Sequence, residues 1–222
     1  MRLVLVVLLG LSSFYPSLAQ SEHPVTGRRI APVMSAAGAD WLTRSEREME
    51  EAPDAALDAI KLKPGMVVAD VGAGVGYISF KMAKRVGPTG KVYANDIQPE
   101  MLEKLRENAQ REKVTNVETV LGSESDPRLP AGKVDVILLV DVYHEFSRPQ
   151  EMLQHMRAAL KPDGRLILLE YRKEDPAIPI RPEHKMSVSE VKAEVEPEGY
   201  KLDQVLETLP RQHILIFRKQ TM

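Results

Sequence analysis

The sequence of 222 residues contains no cysteine. This absence excludes disulfide bonds, thiolate nucleophiles, zinc sites built on cysteine and a lipid-modified N-terminal cysteine. Any chemistry that the chain performs must therefore come from oxygen and nitrogen groups. Its five histidines are the side chains whose ordinary pKa lies closest to neutrality.

The chain also lacks an excess of charge of either sign. It carries 30 Lys and Arg against 32 Asp and Glu, for a net charge of -2, and the two signs are mixed along the sequence. We therefore expect no positive field that would attract nucleic acid, and no nucleic-acid partner. With 43% hydrophobic and 28% charged residues, the composition is that of an ordinary globular protein.

The sequence has no apolar run long enough to span a bilayer, but a short one lies at its start. Residues 3–11 are apolar, Arg2 precedes them, and small residues follow at positions 17–19. This pattern is typical of a secretory signal peptide. We predict cleavage after residue 19, export to the periplasm or the medium, and no stable membrane association afterwards. The alternative is an uncleaved N-terminal membrane anchor.

Two stretches separate this segment from the main domain, which we place at residues 61–222. Residues 20–39 are rich in Pro, Gly and small residues without periodicity, which predicts an arm or a flexible leader. Residues 40–60 mix apolar and charged residues around Pro53, which predicts two helical pieces. Trp41 and the charged run 46–51 are candidates for a helical lid, and the alternative is that these charges form a solvated helix face.

From residue 61, short apolar runs alternate with longer amphipathic stretches, which is typical of βα units and a parallel sheet. The predicted strands are 67–71, 91–96, 117–121, 134–140 and 165–171. The predicted helices are 76–86, 99–112, 149–160 and 188–195. A turn at 162–164 leads into the fifth strand, and an antiparallel pair at 200–207 and 213–218 ends the chain.

The first predicted strand runs directly into a glycine-rich loop. Gly72, Ala73, Gly74 and Gly76 lie in this loop, where glycines allow a tight turn into a helix and let a ligand approach the backbone. The spacing is G-x-G-x-G rather than the G-x-G-x-x-G of dinucleotide sites. Asp70 lies just before the loop, and an acid there favours a ligand with a cationic amino-acid end over a pyrophosphate.

A second acid lies at the end of the next predicted strand. Asp96 ends that strand and Ile97 follows it. An acidic side chain in this position accepts hydrogen bonds from the ribose hydroxyls of a bound nucleoside. The order of the loop and the acid, on these predicted elements, therefore favours an adenosine-containing ligand across the first two strand ends.

Polar residues also follow the fourth and fifth predicted strands. Asp141, His144 and Glu145 follow the fourth strand, and Glu170 lies near the end of the fifth. Reactive groups of doubly wound folds collect at such strand ends. We predict His144 as a general base, with Glu145 and Glu170 beside it, because an imidazole titrates near neutrality. The alternative is that these side chains only hydrogen-bond loops and one another.

Two further histidines raise the possibility of a metal site. His184 and His213 together with Glu170 or Asp141 offer imidazoles and carboxylates, which suit divalent ions. Their separations in sequence match no compact ligand motif, so we predict no metal. We expect a structural role for His213 in its strand, and His184 lies in a proline-flanked loop that could close over a pocket.

Four segments, VADVGAGVG, VYANDI, VDVILLVDVYHEF and LKPDGRLILLEY, make residues 63–218 resemble the class I S-adenosylmethionine-dependent methyltransferases. The resemblance implies an α/β, Rossmann-like three-layer sandwich whose seven-stranded, mostly parallel sheet has an antiparallel last strand. It also implies S-adenosyl-L-methionine as the cofactor and methyl transfer as the activity.

The resemblance implies a cofactor role for nine residues: Asp70, Gly72, Ala73, Gly74, Gly76, Asp96, Ile97, Glu124 and Asp141. The glycines would pack against the methionine moiety, Asp70 would hold its amino group and Asp96 the ribose. Many family members have an acid directly after the glycine that follows the third strand. Here Ser123 takes that position, so the candidates for the adenine amino group are Glu124 or the backbone near it, ahead of Asp126.

Three functions compete on these grounds. The first is methyl transfer to a small-molecule acceptor, although export conflicts with a cofactor that is made inside cells. The second is an exported module that binds S-adenosylmethionine without catalysis. The third is a nicotinamide-dependent oxidoreductase, which the glycine spacing disfavours. The methylated atom and the oligomeric state have no signature in the sequence.

Overall fold

A computed structural model of the protein describes residues 21–220, so the predicted signal peptide lies outside the described residues. The strands are β1 (Val67–Val71), β2 (Lys91–Asp96), β3 (Val117–Leu121), β4 (Val134–Val140), β5 (Leu160–Arg172), β6 (Lys185–Met186), β7 (Tyr200–Leu206) and β8 (Gln212–Lys219). The α-helices are α1 (Arg47–Glu51), α2 (Pro53–Ala59), α3 (Tyr77–Val86), α4 (Pro99–Glu112), α5 (Pro149–Ala159) and α6 (Val188–Val195). Short 3-10 helices cover Ala36–Thr43, Tyr143–Glu145, Pro182–His184 and Glu196–Glu198.

One sheet runs through the molecule in the order β3-β2-β1-β4-β5-β8-β7. Strands β1 to β5 pair in parallel, whereas β8 is antiparallel to both β5 and β7. The order reverses between β1 and β4, and ligands of such sheets bind at the carboxyl ends of the strands on either side of this switch.

The sheet is covered by helices on both faces because successive side chains of a strand point in opposite directions. Residues packed on the side of α2 and α3 include Val68, Val136, Leu138 and Ile167. Residues packed on the side of α5 and α6 include Ala69, Ile137, Leu139 and Leu168. The near-continuous apolar strands in the sequence reflect this burial on both faces. The α/β three-layer prediction is confirmed.

Two details of the sheet differ from the prediction. Strand β5 begins at Leu160, and the predicted turn at 162–164 is a bulge, since Val134 pairs with Leu160 while Val136 pairs with Arg165. The extra residues of β5 between Leu160 and Arg165 bulge out of the pairing with β4, and the strand continues beyond them. Strand β6 adds an eighth strand beside β5, and a two-residue strand is too short to show periodicity in a sequence.

The N-terminal arm is held against the domain rather than free. Ile30 and Ala31 are buried, and an isolated antiparallel bridge joins Glu22 to Arg29. The Arg28 guanidinium contacts the Glu194 carboxylate of α6 and donates to the carbonyl oxygen of His144 at 3.0 Å. Of the two predicted alternatives, these described residues form an arm packed on the domain and not a flexible leader, because the buried ion pair of Arg28 with Glu194 holds them in place.

Helices α1 and α2 occupy the region with the predicted helical pieces. They are separated at Ala52, whose φ of 48° ends the first helix, and Pro53 begins the second, where its fixed φ is well suited. Between residues 21 and 220 no helix combines the length and apolar character needed to cross a membrane.

Candidate functional site

A cavity of about 1000 Å³ opens at the carboxyl ends of β1, β2 and β4. This volume is at the upper end of the range for small-molecule sites. Its wall includes Asp70, Gly72, Ala73, Gly74, Asp96 and Ile97 on one side, which we call the glycine-loop end. We call the other side the histidine end, which comprises Asp141, His144, Glu145 and His184 of the wall and Glu170 behind it. Glu124 also lines the cavity, and its carboxylate accepts a hydrogen bond from Ser147.

The backbone conformation and the packing of the glycine loop both require glycine at these positions. Gly72, Gly74 and Gly76 have φ values of 79°, 53° and 94°, a region that glycine adopts most readily. A Cβ at Gly72 would lie 2.4 Å from Val142, and one at Gly74 would lie 2.6 Å from Leu42. These contacts fix the loop whether or not a ligand is bound.

Gly76 differs from the role predicted for it. Its added Cβ would lie 2.6 Å from the ring of Phe80 and 2.9 Å from Leu105, and the residue does not form part of the cavity wall. The close contact at Gly76 is therefore between the glycine loop and the helices α3 and α4, which contain Phe80 and Leu105. We therefore assign Gly76 to packing and not to cofactor contact.

Asp96 links the second strand to the glycine loop. Its Oδ2 accepts from the backbone N–H of Gly74 and its Oδ1 from that of Gln98, both at 2.9 Å. A carboxylate has further lone pairs, so Asp96 can accept from two ligand hydroxyls as well. Burial raises the pKa of Asp96, while these amides oppose the rise. The geometry fits the predicted ribose contact.

Asp70 is a buried acid with a single hydroxyl donor. Ser79 donates to its Oδ2 at 2.6 Å, and Asp70 lines the cavity. Burial raises the pKa of Asp70 to about 6, although the Ser79 hydroxyl lowers it. A cationic ligand group beside this carboxylate would offset the cost of its buried charge. The amino group of a bound amino acid would supply that charge.

His144 and Glu170 form a buried pair at the histidine end. His144 Nδ1 and Glu170 Oε2 lie 2.6 Å apart, and Glu170 Oε1 accepts from the Tyr143 amide at 3.0 Å. Burial lowers the pKa of His144, but the adjoining Glu170 carboxylate outweighs it, so the net shift is upward. Glu170 thus orients the His144 imidazole from behind the cavity wall. The other ring nitrogen, His144 Nε2, points away from Glu170.

His184 meets His144 on the cavity side. The Nδ1 atom of His184 lies 3.1 Å from His144 Nε2, with the two rings nearly perpendicular. Glu145 is close by, since ligand atoms of all three residues lie within 4.8 Å of one another. Burial raises the pKa of the Glu145 carboxyl to about 7. The sequence separations gave no hint of this cluster, because His184 arrives from the 3-10 helix before β6.

Asp141 and His213 have separate surroundings. Asp141 has a φ of 54° and its Oδ2 accepts from Gln212 at 2.7 Å, whereas its buried Oδ1 has no hydrogen-bond partner among residues 21–220. His213 contacts Glu207 at 2.6 Å and Glu174 at 3.0 Å and is not in the cavity wall. The structure thus joins His184, and not His213, to the site.

The segment before β1 supplies one rim of the cavity. Trp41, Leu42, Arg47 and Glu51 all line it. Arg47 and Glu51 are buried and paired at 2.6 Å, and Glu51 also accepts from the hydroxyl of Tyr171 at 2.8 Å. Part of the charged run 46–51 therefore faces the cavity instead of solvent, while Trp41 is about half exposed beneath the guanidinium of Arg44.

A family model for a methyltransferase domain matches residues 62–211. The solved structure of an S-adenosylmethionine-dependent methyltransferase from Aquifex aeolicus has a TM-score of 0.79 and 30% identity, covering 83% of this chain and 98% of that one. Nocamycin O-methyltransferase of Saccharothrix syringae is 30% identical over 62% of this chain and 47% of its own length. A ubiquinone/menaquinone biosynthesis C-methyltransferase of Burkholderia orbicola is 31% identical over 50% and 46%.

The chain spans about half the length of these two curated relatives, and 27% of a third, the arsenite methyltransferase of Halobacterium salinarum, which is 33% identical over 48% of this chain. The matched region contains β1 to β5, the glycine loop and Asp96. On the family match and the Aquifex aeolicus structure together, the chain belongs to the class I S-adenosylmethionine-dependent methyltransferases.

Proposed function

We propose that the protein transfers the methyl group of S-adenosylmethionine to a small-molecule acceptor held at the histidine end of the cavity. The observation that carries this proposal is the arrangement of the cavity. Asp70 and Asp96 line the glycine-loop end, while His144 and Glu145 line the same cavity at the histidine end. One cavity can therefore hold the cofactor and bring its methyl group to an acceptor beside the histidines.

The volume and the relatives support an acceptor of small size. A cavity of about 1000 Å³ has room for a nucleoside cofactor and a second small molecule. The names of several curated relatives specify small molecules, namely nocamycin, arsenite and ubiquinone or menaquinone, while one names a protein residue, L-isoaspartate. The net charge of -2 favours no nucleic-acid acceptor.

In the proposed reaction the acceptor's lone pair forms a bond to the methyl carbon as the carbon–sulfur bond breaks. The bonding electrons return to sulfur, which leaves S-adenosylhomocysteine, and the acceptor gives up its proton. Such a transfer depends strongly on holding the nucleophile in line with the methyl group. His144, oriented by Glu170, and Glu145 are the groups beside which the acceptor proton would be lost.

The test is an acceptor screen with methyl-labelled cofactor. The chain without residues 1–19 is incubated with phenols, thiols, amines and carboxylates, and both labelled product and S-adenosylhomocysteine are measured. We expect equal amounts of the two for at least one acceptor class. Tight cofactor binding with no transfer to any acceptor would contradict the proposal and favour a binding module.

We also propose that the protein is exported after cleavage of residues 1–19. The support is the sequence pattern alone: Arg2, the apolar run 3–11 and small residues at 17–19. N-terminal sequencing of protein recovered outside the cytoplasm should begin at Gln20. A full-length product confined to the cytoplasm would contradict export, and a full-length product in the membrane fraction would support the anchor instead.

A further inference from the structure

The histidine end contains the donor set of a transition-metal site. His144 and His184 offer one imidazole nitrogen each and Glu145 offers a carboxylate oxygen, and all three line the cavity. Imidazole combined with carboxylate suits zinc, iron, nickel or copper, whereas magnesium and calcium prefer oxygen alone. Three protein ligands with a further position open toward a cavity is the pattern of catalytic metal sites.

The distances fit an ion of this kind. His144 Nε2 and His184 Nδ1 lie 3.1 Å apart. Two imidazole nitrogens bound to one tetrahedral zinc at 2.0–2.1 Å would be separated by about 3.3 Å. The ligand atoms of Glu145 and both histidines already lie within 4.8 Å of one another, so small side-chain rotations suffice to bring them around one ion.

The surroundings also match. Metal-binding histidines commonly donate their other ring N–H to a carboxylate, which fixes the tautomer and strengthens the ligand. His144 Nδ1 is 2.6 Å from Glu170 Oε2, and Glu170 is itself held by the amide of Tyr143. Donation from Nδ1 to Glu170 leaves the lone pair of Nε2 on the cavity side. The buried carboxylate therefore prepares His144 as a ligand.

Charge favours a cation at this place. The carboxylates of Glu170, Glu145 and Asp141 all act on the His144 imidazole. Among the described residues, Asp141 Oδ1 is a buried oxygen without a hydrogen-bond partner. Three carboxyl groups near two imidazoles would attract a divalent cation, and a bound cation would in turn favour their ionised form.

We propose that His144, Glu145 and His184 bind one divalent transition-metal ion, with Glu170 as the positioning residue behind His144. In this arrangement His144 is a metal ligand and not the general base that the sequence predicts. An ion there would bind the oxygen or sulfur of the acceptor and promote loss of its proton to solvent before the methyl group is transferred. This last role rests on the proposed function, whereas the binding of the ion does not.

The test is a titration of tag-free protein with Zn²⁺ after dialysis against a chelator. Isothermal titration calorimetry should find one ion per chain, and native mass spectrometry of the folded protein should show the added mass of one Zn²⁺. His184→Ala should weaken Zn²⁺ binding at least tenfold. Glu170→Gln should weaken it about 10- to 100-fold, the usual cost of losing an outer-shell partner. Mg²⁺ should not compete at equal concentration.

His155→Ala is the matched control, since His155 is an exposed histidine that contacts the carbonyl of Ser125 and lies outside the cavity wall. It should bind Zn²⁺ as the parent chain does. Circular dichroism melting checks that each variant folds, and His184→Gln replaces His184→Ala if that variant does not. The proposal is overturned if the parent chain does not bind Zn²⁺, or if the His184 and His155 variants bind it with equal affinity. Metal binding that fails while S-adenosylmethionine binding and transfer persist leaves the proposed function intact.

Discussion

The two ends of the cavity are built on different principles. At the glycine-loop end, Asp70 and Asp96 accept hydrogen bonds from Ser79 and the Gly74 amide, and all four residues belong to the single unit β1-α3-β2. At the histidine end, His144 contacts Glu170 within the unit β4-α5-β5, but it also contacts His184, which lies outside that unit in the segment before β6. A site assembled within one βαβ unit serves a ligand that is common to the family. A site assembled from separate loops can be specific to this chain.

The largest expected effect is on the rate of methyl transfer, which should depend on the histidine end much more than cofactor affinity does. His144→Ala should lower the rate of methyl transfer by about 10²- to 10⁴-fold, whether the imidazole takes the acceptor proton itself or holds an ion that promotes its loss. The affinity for S-adenosylmethionine should change less than threefold, because His144 belongs to the histidine end. Single-turnover transfer and calorimetry measure the two quantities. An equal loss in both, with the fold intact and His155→Ala normal, would mean that the ends are not separate.

The next expected effect is on the free energy of unfolding, which the buried Asp70 carboxylate of the glycine-loop end lowers when it is ionised. Burial raises the pKa of Asp70 from 3.8 to about 6, so the folded chain binds this proton more tightly than the unfolded chain does. Stability from this group is therefore lost as pH rises from about 4 to about 6. Asp70→Asn should raise the free energy of unfolding of the cofactor-free protein by up to about 3 kcal/mol at pH 8, and by about half as much at pH 5.

Urea unfolding at the two pH values measures this, with exposed Asp163→Asn as the control. The same Asp70→Asn variant should bind S-adenosylmethionine more weakly, because it removes the charge facing the amino group. If the free energy of unfolding of Asp70→Asn rises equally at pH 5 and pH 8, the Asp70 charge is not the source of the increase.

A glycine comparison then tests whether the loop is set by the protein's own packing. Gly76→Ala places a Cβ 2.6 Å from Phe80 at a φ of 94°, so we expect a loss of about 2 to 3 kcal/mol in the free energy of unfolding. Gly132→Ala, at a φ of 63° with no heavy atom within 4 Å, should cost only about 1 kcal/mol. Chemical unfolding compares the two. Equal losses would return Gly76 to the role of leaving space for the cofactor.

The smallest effect is on cofactor affinity alone. Asp96→Ala should weaken S-adenosylmethionine binding by about 1 to 3 kcal/mol, the loss expected when one partner of a charge-assisted hydrogen bond is removed. Calorimetry measures it, with Glu118→Ala on the neighbouring strand β3 as an exposed control. Unchanged affinity would remove Asp96 from the cofactor site.

The same contrast explains how far the sequence could predict the site. The glycine loop, Asp70 and Asp96 lie on consecutive elements whose apolar periodicity marks each strand end, so their meeting follows from the order of the elements. His184 lies on a loop whose path depends on the pairing of β5 with β6 and on the packing of α6. No local pattern carries that information, so the place of His184 beside His144 and Glu145 could not be predicted.

Within the fold, the same limit applies to the bulge in β5 and to the buried arm. The residues at 162–164 have turn composition, and only the pairing with β4 shows that the strand continues through them. The arm at residues 21–35 has little apolar periodicity, yet the ion pair of Arg28 with Glu194 fixes it. Strand and helix positions follow from periodicity, whereas contacts between distant segments do not.

A crystal structure with S-adenosylhomocysteine bound tests the division of the cavity most directly. The account predicts ribose hydroxyls within about 3 Å of the Asp96 carboxylate and the amino group near Asp70. It also predicts that the sulfur points toward His144, Glu145 and His184, where the acceptor would receive the methyl group. A ligand bound at Asp96 whose sulfur faces away from the histidine end would contradict the account.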